Sequence, residues 1–165
     1  MGLDQYLEAR QYISRREWTD GGSTENPDFH IIAPMTRGGV LDPDGFSGIS
    51  LTYNAAQWRK ANGIQRWMQD HLADGDMQNC QDYYVSTDTL VELRQSCELV
   101  LGAKDKKAMA ASEGLSPMEG FFYGGQDLDE WYFRDLQYTV DSINRLEKSG
   151  ALSDTEISFY YRAWW

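Results

Sequence analysis

The sequence predicts an α+β fold: a mostly antiparallel sheet of four or five strands packed with about three helices. Three observations carry that expectation. Stretches near the start, near residue 50 and at the end alternate apolar and polar residues, the period of a strand with one wet face. Longer stretches in between place apolar residues at helical spacing. Clusters of Gly, Pro, Asp and Asn punctuate the two kinds. A length of 165 residues fits one domain, 1–165, large enough to bury a core without metal or disulfide staples.

Each element follows in order. Leu3, Leu7, Ala9 and Ile13 alternate with Tyr6, Glu8, Arg10 and Tyr12, which favours a strand over the alternative helix. Residues 15–28 are polar, with turn signals at Asp20-Gly21-Gly22-Ser23 and Asn26-Pro27-Asp28. Phe29 to Ala33 reads as a short strand closed by Pro34, and residues 35–47 as a long loop around Asp42-Pro43-Asp44-Gly45. Ile49 to Tyr53 alternates as a strand. The period then changes: Ala61, Ile64, Trp67, Met68, His71 and Leu72 predict a helix over 56–73. Asn79 to Val85 leads through a short strand into Ser86, an N-cap for a helix over 87–102. Residues 103–117 hold at most one poorly anchored helical turn. Asp127, with Glu130 three residues on, predicts the start of a long helix to 148, striped by Tyr132, Leu136, Val140 and Ile143 and ended by Gly150. The tail, 157–165, alternates as a strand, and so aromatic a strand belongs inside the sheet.

Charge narrows the function classes. With 26 acids against 15 bases the formal charge is −11, a field that repels nucleic acid and anionic lipid. A basic protein surface or a small ligand in a local pocket of opposite sign are the partners left. Cys80 and Cys97 form no CxxC pair and read as reduced thiols. No apolar run approaches the roughly 18 residues of a membrane helix. His30 and His71 form no metal-binding pair. Asp74-Gly75-Asp76 opens like a calcium loop, but Asn79 stands where that loop needs Gly and Val85 where it needs Glu. Neither a metal nor another cofactor is expected. GxSxG, Walker and GxGxxG motifs do not occur, and Asp129 and Glu130, adjacent on a helix, point in different directions.

The charge is uneven. Residues 51–73 carry Arg59, Lys60 and Arg66 against Asp70 alone, whereas residues 74–103 carry six acids against Arg94. If 56–73 is one helix, Arg59, Asn62 and Arg66 share a polar face suited to an anionic ligand, or simply to solvent. Gly63, where Ala would favour a helix by ~1 kcal/mol, suggests close approach by a backbone or ligand. Tyr123-Gly124-Gly125-Gln126 before a helix resembles an anion-binding loop, but Asp127, Asp129 and Glu130 crowd the first turn and favour ordinary capping.

Several blocks are also similar to those of a widespread family of small, uncharacterised phage and prophage proteins. They are Met1-Gly2-Leu3-Asp4, Trp58-Arg59-Lys60-Ala61-Asn62 with Trp67, Tyr84-Val85-Ser86, Phe121-Phe122-Tyr123-Gly124 with Asp129-Glu130, and Phe159-Tyr160-Tyr161. Gln65 and Gly125 depart from the pattern, which has His and Ser there. The resemblance implies expression in the cytoplasm of a host bacterium. Combined with the residue types, it yields a first expectation: sequestration of a small nucleotide-like ligand, such as an immune signal, without catalysis. Trp58, Arg59, Asn62, Arg66, Tyr84, Ser86, Tyr123, Asp129 and Tyr132 are the candidate contacts, rings for a base, Asn and Ser for polar edges, guanidinium for phosphate. The second expectation is an acidic inhibitor of a host defence protein that imitates DNA charge, and the third an enzyme degrading a nucleotide signal. The aromatic tail is compatible with a homodimer.

Overall fold

The computed structural model describes residues 2–32 and 45–165. Its elements run β1 (Asp4–Ser14), β2 (Arg16–Thr19), β3 (Gly22–Glu25), α1 (Pro27–Ile32), β4 (Gly48–Arg59), α2 (Asn62–Ala73), β5 (Asp82–Val85), α3 (Thr87–Gly102), α4 (Lys106–Ser112), α5 (Glu130–Lys148) and β6 (Ile157–Trp164). A four-stranded antiparallel sheet has the order β4-β1-β6-β5, and β2 and β3 form a separate two-stranded sheet. The class is α+β, as the sequence predicts.

Two compact units divide the chain: residues 2–9 with 54–165, and residues 10–53. In the larger unit the sheet's inner face carries Leu7 and Ala9 from β1, with Leu3 just ahead of that strand, and Phe159, Tyr161 and Ala163 from β6, all buried. The alternation expected of the tail therefore holds, and β6 lies inside the sheet between β1 and β5. Helices cover that face. α3 begins at Ser86, whose Oγ accepts from the Thr89 amide at 3.0 Å, and α5 buries Tyr132, Leu136, Val140 and Ile143 along one stripe. One polar group sits deep among these apolar chains. Gln5 Nε2 donates to the Tyr161 hydroxyl (2.9 Å) and the Ala61 carbonyl (3.1 Å), while Tyr161 donates to Gln65 Oε1 (2.7 Å). Gln5 Oε1 accepts from the Ala61 amide, so this network pins the β4–α2 junction to the sheet.

Four expectations are corrected. The helix predicted over 56–73 begins only at Asn62, because β4 continues to Arg59 with Ala56 and Trp58 buried at period two. Arg59 and Trp58 are thus strand residues, and the proposed Arg59-Asn62-Arg66 helix face does not exist. The cap of α5 is Asp129, which accepts from the Tyr132 amide at 3.0 Å, and not Asp127. Residues 103–117 contain a full short helix, α4, capped by Asp105. In the smaller unit, Phe29 lies on α1, not on a strand: Asn26 Oδ1 accepts from the Asp28 amide (2.9 Å) and Pro27 takes the first helical position.

That unit also contains a hairpin the sequence showed only as a turn. Thr19 pairs with Gly22 across Asp20-Gly21, and every residue of β2 is exposed, so no apolar alternation marks it. Ile13 and Phe29 are its buried pair, with Ile32, Ile49 and Leu51 against them. Of the loop expected over 35–47, residues 35–44 lie outside the described residues. Among the described residues no helix is long and apolar enough to cross a membrane. Cys80 and Cys97 are free, Cys97 buried and its thiol pushed up by that burial.

Candidate functional site

A cavity of about 350 Å³ lies in the larger unit where the end of β4, the start of α2, the Gly124-Gly125 segment and the start of α5 meet. Its walls differ in charge. Arg59 and Lys60 come from the β4–α2 turn, and Asp127, Asp129 and Asp135, with Trp131 and Tyr132, from the segment that enters α5 and its first turns.

The basic wall follows from how β4 turns into α2. Lys60 holds φ at 61°, a left-handed conformation that a side chain other than glycine rarely takes. Its amide donates to the Leu3 carbonyl at 2.8 Å, which ties the reversal to β1. The Lys60 stem lies against Gly124, where an added Cβ would stand 3.3 Å from Lys60 Cβ. Gly124 itself has φ of 89°, so glycine serves here both the backbone and the close approach. Arg59 is exposed and reaches Asp4 only at 3.7 Å, a surface pair that holds a guanidinium weakly. The N-terminus of α2 opens on the same wall: Ala61 supplies no capping side chain and the first turn carries no acid. The partial positive charge of that end is therefore not offset by the helix itself.

Asn62 joins this wall to the opposite segment. Buried, its Nδ2 donates to the carbonyls of Gly125 (2.7 Å) and Tyr123 (3.3 Å). The tryptophan-containing block and the Phe-Phe-Tyr-Gly block, far apart in sequence, thus meet through one amide.

The acidic wall is the start of α5. Asp129 is occupied as the cap. Tyr132 is buried, donates its hydroxyl to the Leu115 carbonyl at 2.9 Å, and has its phenol pushed up by burial. Asp135 is half-buried, and its carboxyl is pushed up from 3.8 to about 6 by burial and by the Asp129 charge, against the opposing pull of Arg134. Stability follows the sign of that shift. Between about pH 4 and 6 the folded chain holds a proton that the unfolded chain gives up, so this contribution is lost as pH rises through 6. Asp135→Asn is accordingly expected to raise stability at pH 7.5, by about 1 kcal/mol after allowance for solvent screening. The same substitution should flatten the pH 4–6 slope of urea midpoints; an unchanged slope contradicts the assignment.

Of the nine residues singled out from sequence, Arg59, Asn62, Asp129 and Tyr132 line the cavity. Tyr123 contributes only its carbonyl, its ring packing edge-on against Trp165. Trp58 is sealed in the core, its indole donating to Thr139 Oγ1 at 2.9 Å. Arg66 lies farther along α2 and is not in the lining. Tyr84 projects exposed from edge strand β5 against Tyr160, and the Ser86 hydroxyl is engaged in capping α3. Lys60, Trp131 and Asp135 are among the lining residues that sequence did not single out as contacts. An exposed Trp beside a helix start was a usable signal; the half-burial of Asp135 was not visible without the fold. Among the described residues no group of three or more His, Cys, Asp or Glu is placed to hold a metal.

Comparisons with protein-family models, with curated proteins and with solved structures return no match.

Proposed function

We propose that this cavity binds a small nucleotide-like ligand and that the protein sequesters it without turning it over. The observation that carries the reading is a lining that combines cations from the β4–α2 turn with carboxylates from the start of α5. An anionic group suits Arg59, Lys60 and the uncapped end of α2, while hydroxyl and amino donors suit the carboxylates across the cavity. Trp131, two-thirds exposed at the rim, offers a ring face to a base. A nucleotide carries these three features in one molecule, and about 350 Å³ accommodates one of mononucleotide size. On this reading the setting is an infected bacterial cell, where removing a host signal is useful.

Thermal unfolding against a panel of AMP, cyclic AMP, cyclic dinucleotides and ADP-ribose tests this directly. A ligand at about 100 times its Kd adds ~2.7 kcal/mol, roughly 5–10 °C for a chain of this length. Arg59→Ala is expected to weaken the binding roughly tenfold. Recovery of intact ligand after heat release fits sequestration; recovery of a degraded one indicates turnover. No shift with any of the panel rejects the reading.

A second reading rests on the exposed acids Asp88, Glu92 and Glu98 along α3. They suit a basic protein surface. Capture of such a partner that weakens steeply with salt would favour it.

A further inference from the structure

The cavity's charge pattern also constrains which nucleotides it accepts. Resting on the nucleotide-binding reading above, we infer that Asp135 sets the specificity of the pocket by accepting hydrogen bonds from a pair of neighbouring O–H or N–H donors on the ligand, while the ligand's anionic group lies against Arg59 and Lys60. The geometry singles out this carboxylate. Asp129 already accepts from the Tyr132 amide as the cap of α5, and Asp127 is exposed in the segment ahead of the helix. Asp135 is the one of the three that is both half-buried and on the rigid helix, one turn beyond Trp131 and beside Leu136. No hydrogen bond or ion pair of its carboxylate is formed within the described protein, while its main-chain carbonyl accepts from Thr139 Oγ1 at 2.7 Å. A carboxylate held half-desolvated and without a hydrogen-bonding partner is costly to the fold, and a donor pair on a ligand would satisfy it.

The charged groups around it are Arg134 on its own helix, Asp127 and Asp129 ahead of α5, and Arg59 and Lys60 across the cavity from the β4–α2 junction. Burial pushes the Asp135 carboxyl up to about 6. Accepting from both donors of the pair requires the ionised carboxylate, because protonation turns one of its oxygens into a donor, so protonation weakens the contact.

Either a ribose diol or a base amino group presents such donors, and the probes separate them. The methyl phosphodiester of AMP has no second phosphate ionisation to confuse the pH response. Its 2′-deoxy counterpart lacks one hydroxyl, and its hypoxanthine counterpart lacks the amino group. Calorimetric titration of the wild-type protein is expected to show the AMP ester binding at least tenfold more tightly than one of the two counterparts. Its affinity should fall about tenfold from pH 7 to pH 5. Asp135→Asn should remove both differences while raising the unfolding temperature, which separates a lost contact from a lost fold. If the deoxy probe loses the affinity the ribose is the donor; if the hypoxanthine probe does, the base is. Equal binding of all three probes, or an Asp135→Asn protein with the wild-type preference and pH profile, overturns the inference and leaves the nucleotide reading standing. If none of the probes binds the wild type, the inference falls, and the nucleotide reading falls with it when the wider panel also gives no shift.

Discussion

Trp58→Ala is expected to cost about 3–5 kcal/mol of stability, the range for removing a fully buried Trp. The indole is 3% exposed at the end of β4. Its ring meets Tyr138 edge-on at 6.0 Å and Tyr161 at 6.4 Å, and its N–H donates to Thr139 Oγ1, which in turn donates to the Asp135 carbonyl. Alanine would leave a void between β4, β6 and α5 and strip Thr139 of its donor. Trp58→Phe fills most of the void and loses only the hydrogen bond, for about 1 kcal/mol. Urea unfolding of the two variants checks the order. Equal and small losses would mean that the ring is not packed as described. Because Trp58 stands outside the cavity, the Phe variant should keep wild-type affinity for any ligand of the pocket, whereas a base-stacking role for Trp58 predicts a loss.

That contrast shows where the sequence was legible. Elements with a clear period and a local punctuation mark came through: β1, α3 behind its Ser86 cap, the apolar stripe of α5, and β6. The failure at 56–61 has a physical cause. Ala55 and Ala56 are strong helix formers, and Arg59, Lys60 and Ala61 continue that preference, so local propensity pointed one way while pairing with β1 decided the other. What ended the strand was Lys60 at φ 61°, for which a lysine gives no warning. The exposed hairpin β2–β3 and the short α1 were missed for the opposite reason, since neither buries enough to leave a pattern.

The candidate site was legible in part, and for the wrong geometric reason. Arg59 and Asn62 were paired as neighbours on a helix; they are neighbours because a strand reverses into one. Asn62 was read as a group for a ligand's polar edge, yet its amide is committed to the Gly125 and Tyr123 carbonyls, and it shapes the cavity wall. The acids of the Asp127–Glu130 run, read from sequence as crowding the start of α5, do stand there, with Asp129 as its cap and Glu130 in its first turn. The neighbouring wall, lacking such acids, could be recognised only once α2 and α5 were placed side by side.

Gly63 is the position where sequence and structure agree most closely, and its substitution is expected to reverse the usual sign. In an ordinary helix Gly→Ala gains about 1 kcal/mol. Here a Cβ on Gly63 would stand 2.5 Å from the Leu115 carbonyl oxygen and 2.9 Å from Tyr132 Cε2. Neither neighbour yields easily. Leu115 is fully buried, its amide donates to the Ala110 carbonyl at 2.8 Å, and its own carbonyl accepts the Tyr132 hydroxyl. Overpacking of this kind costs about 1–3 kcal/mol, enough to outweigh the gain in helix propensity. Gly63→Ala should therefore lower the urea midpoint, and a higher midpoint would show that α2 does not approach the Leu115 backbone as described. Shrinking the tyrosine tests which neighbour dominates. In a Tyr132→Leu background the aromatic contact is gone but the carbonyl is not, so Gly63→Ala should still destabilise, by less than in the wild type. Gly63, Tyr132 and Asn62 all line the cavity, so the packing that excludes a methyl group at Gly63 also fixes its shape.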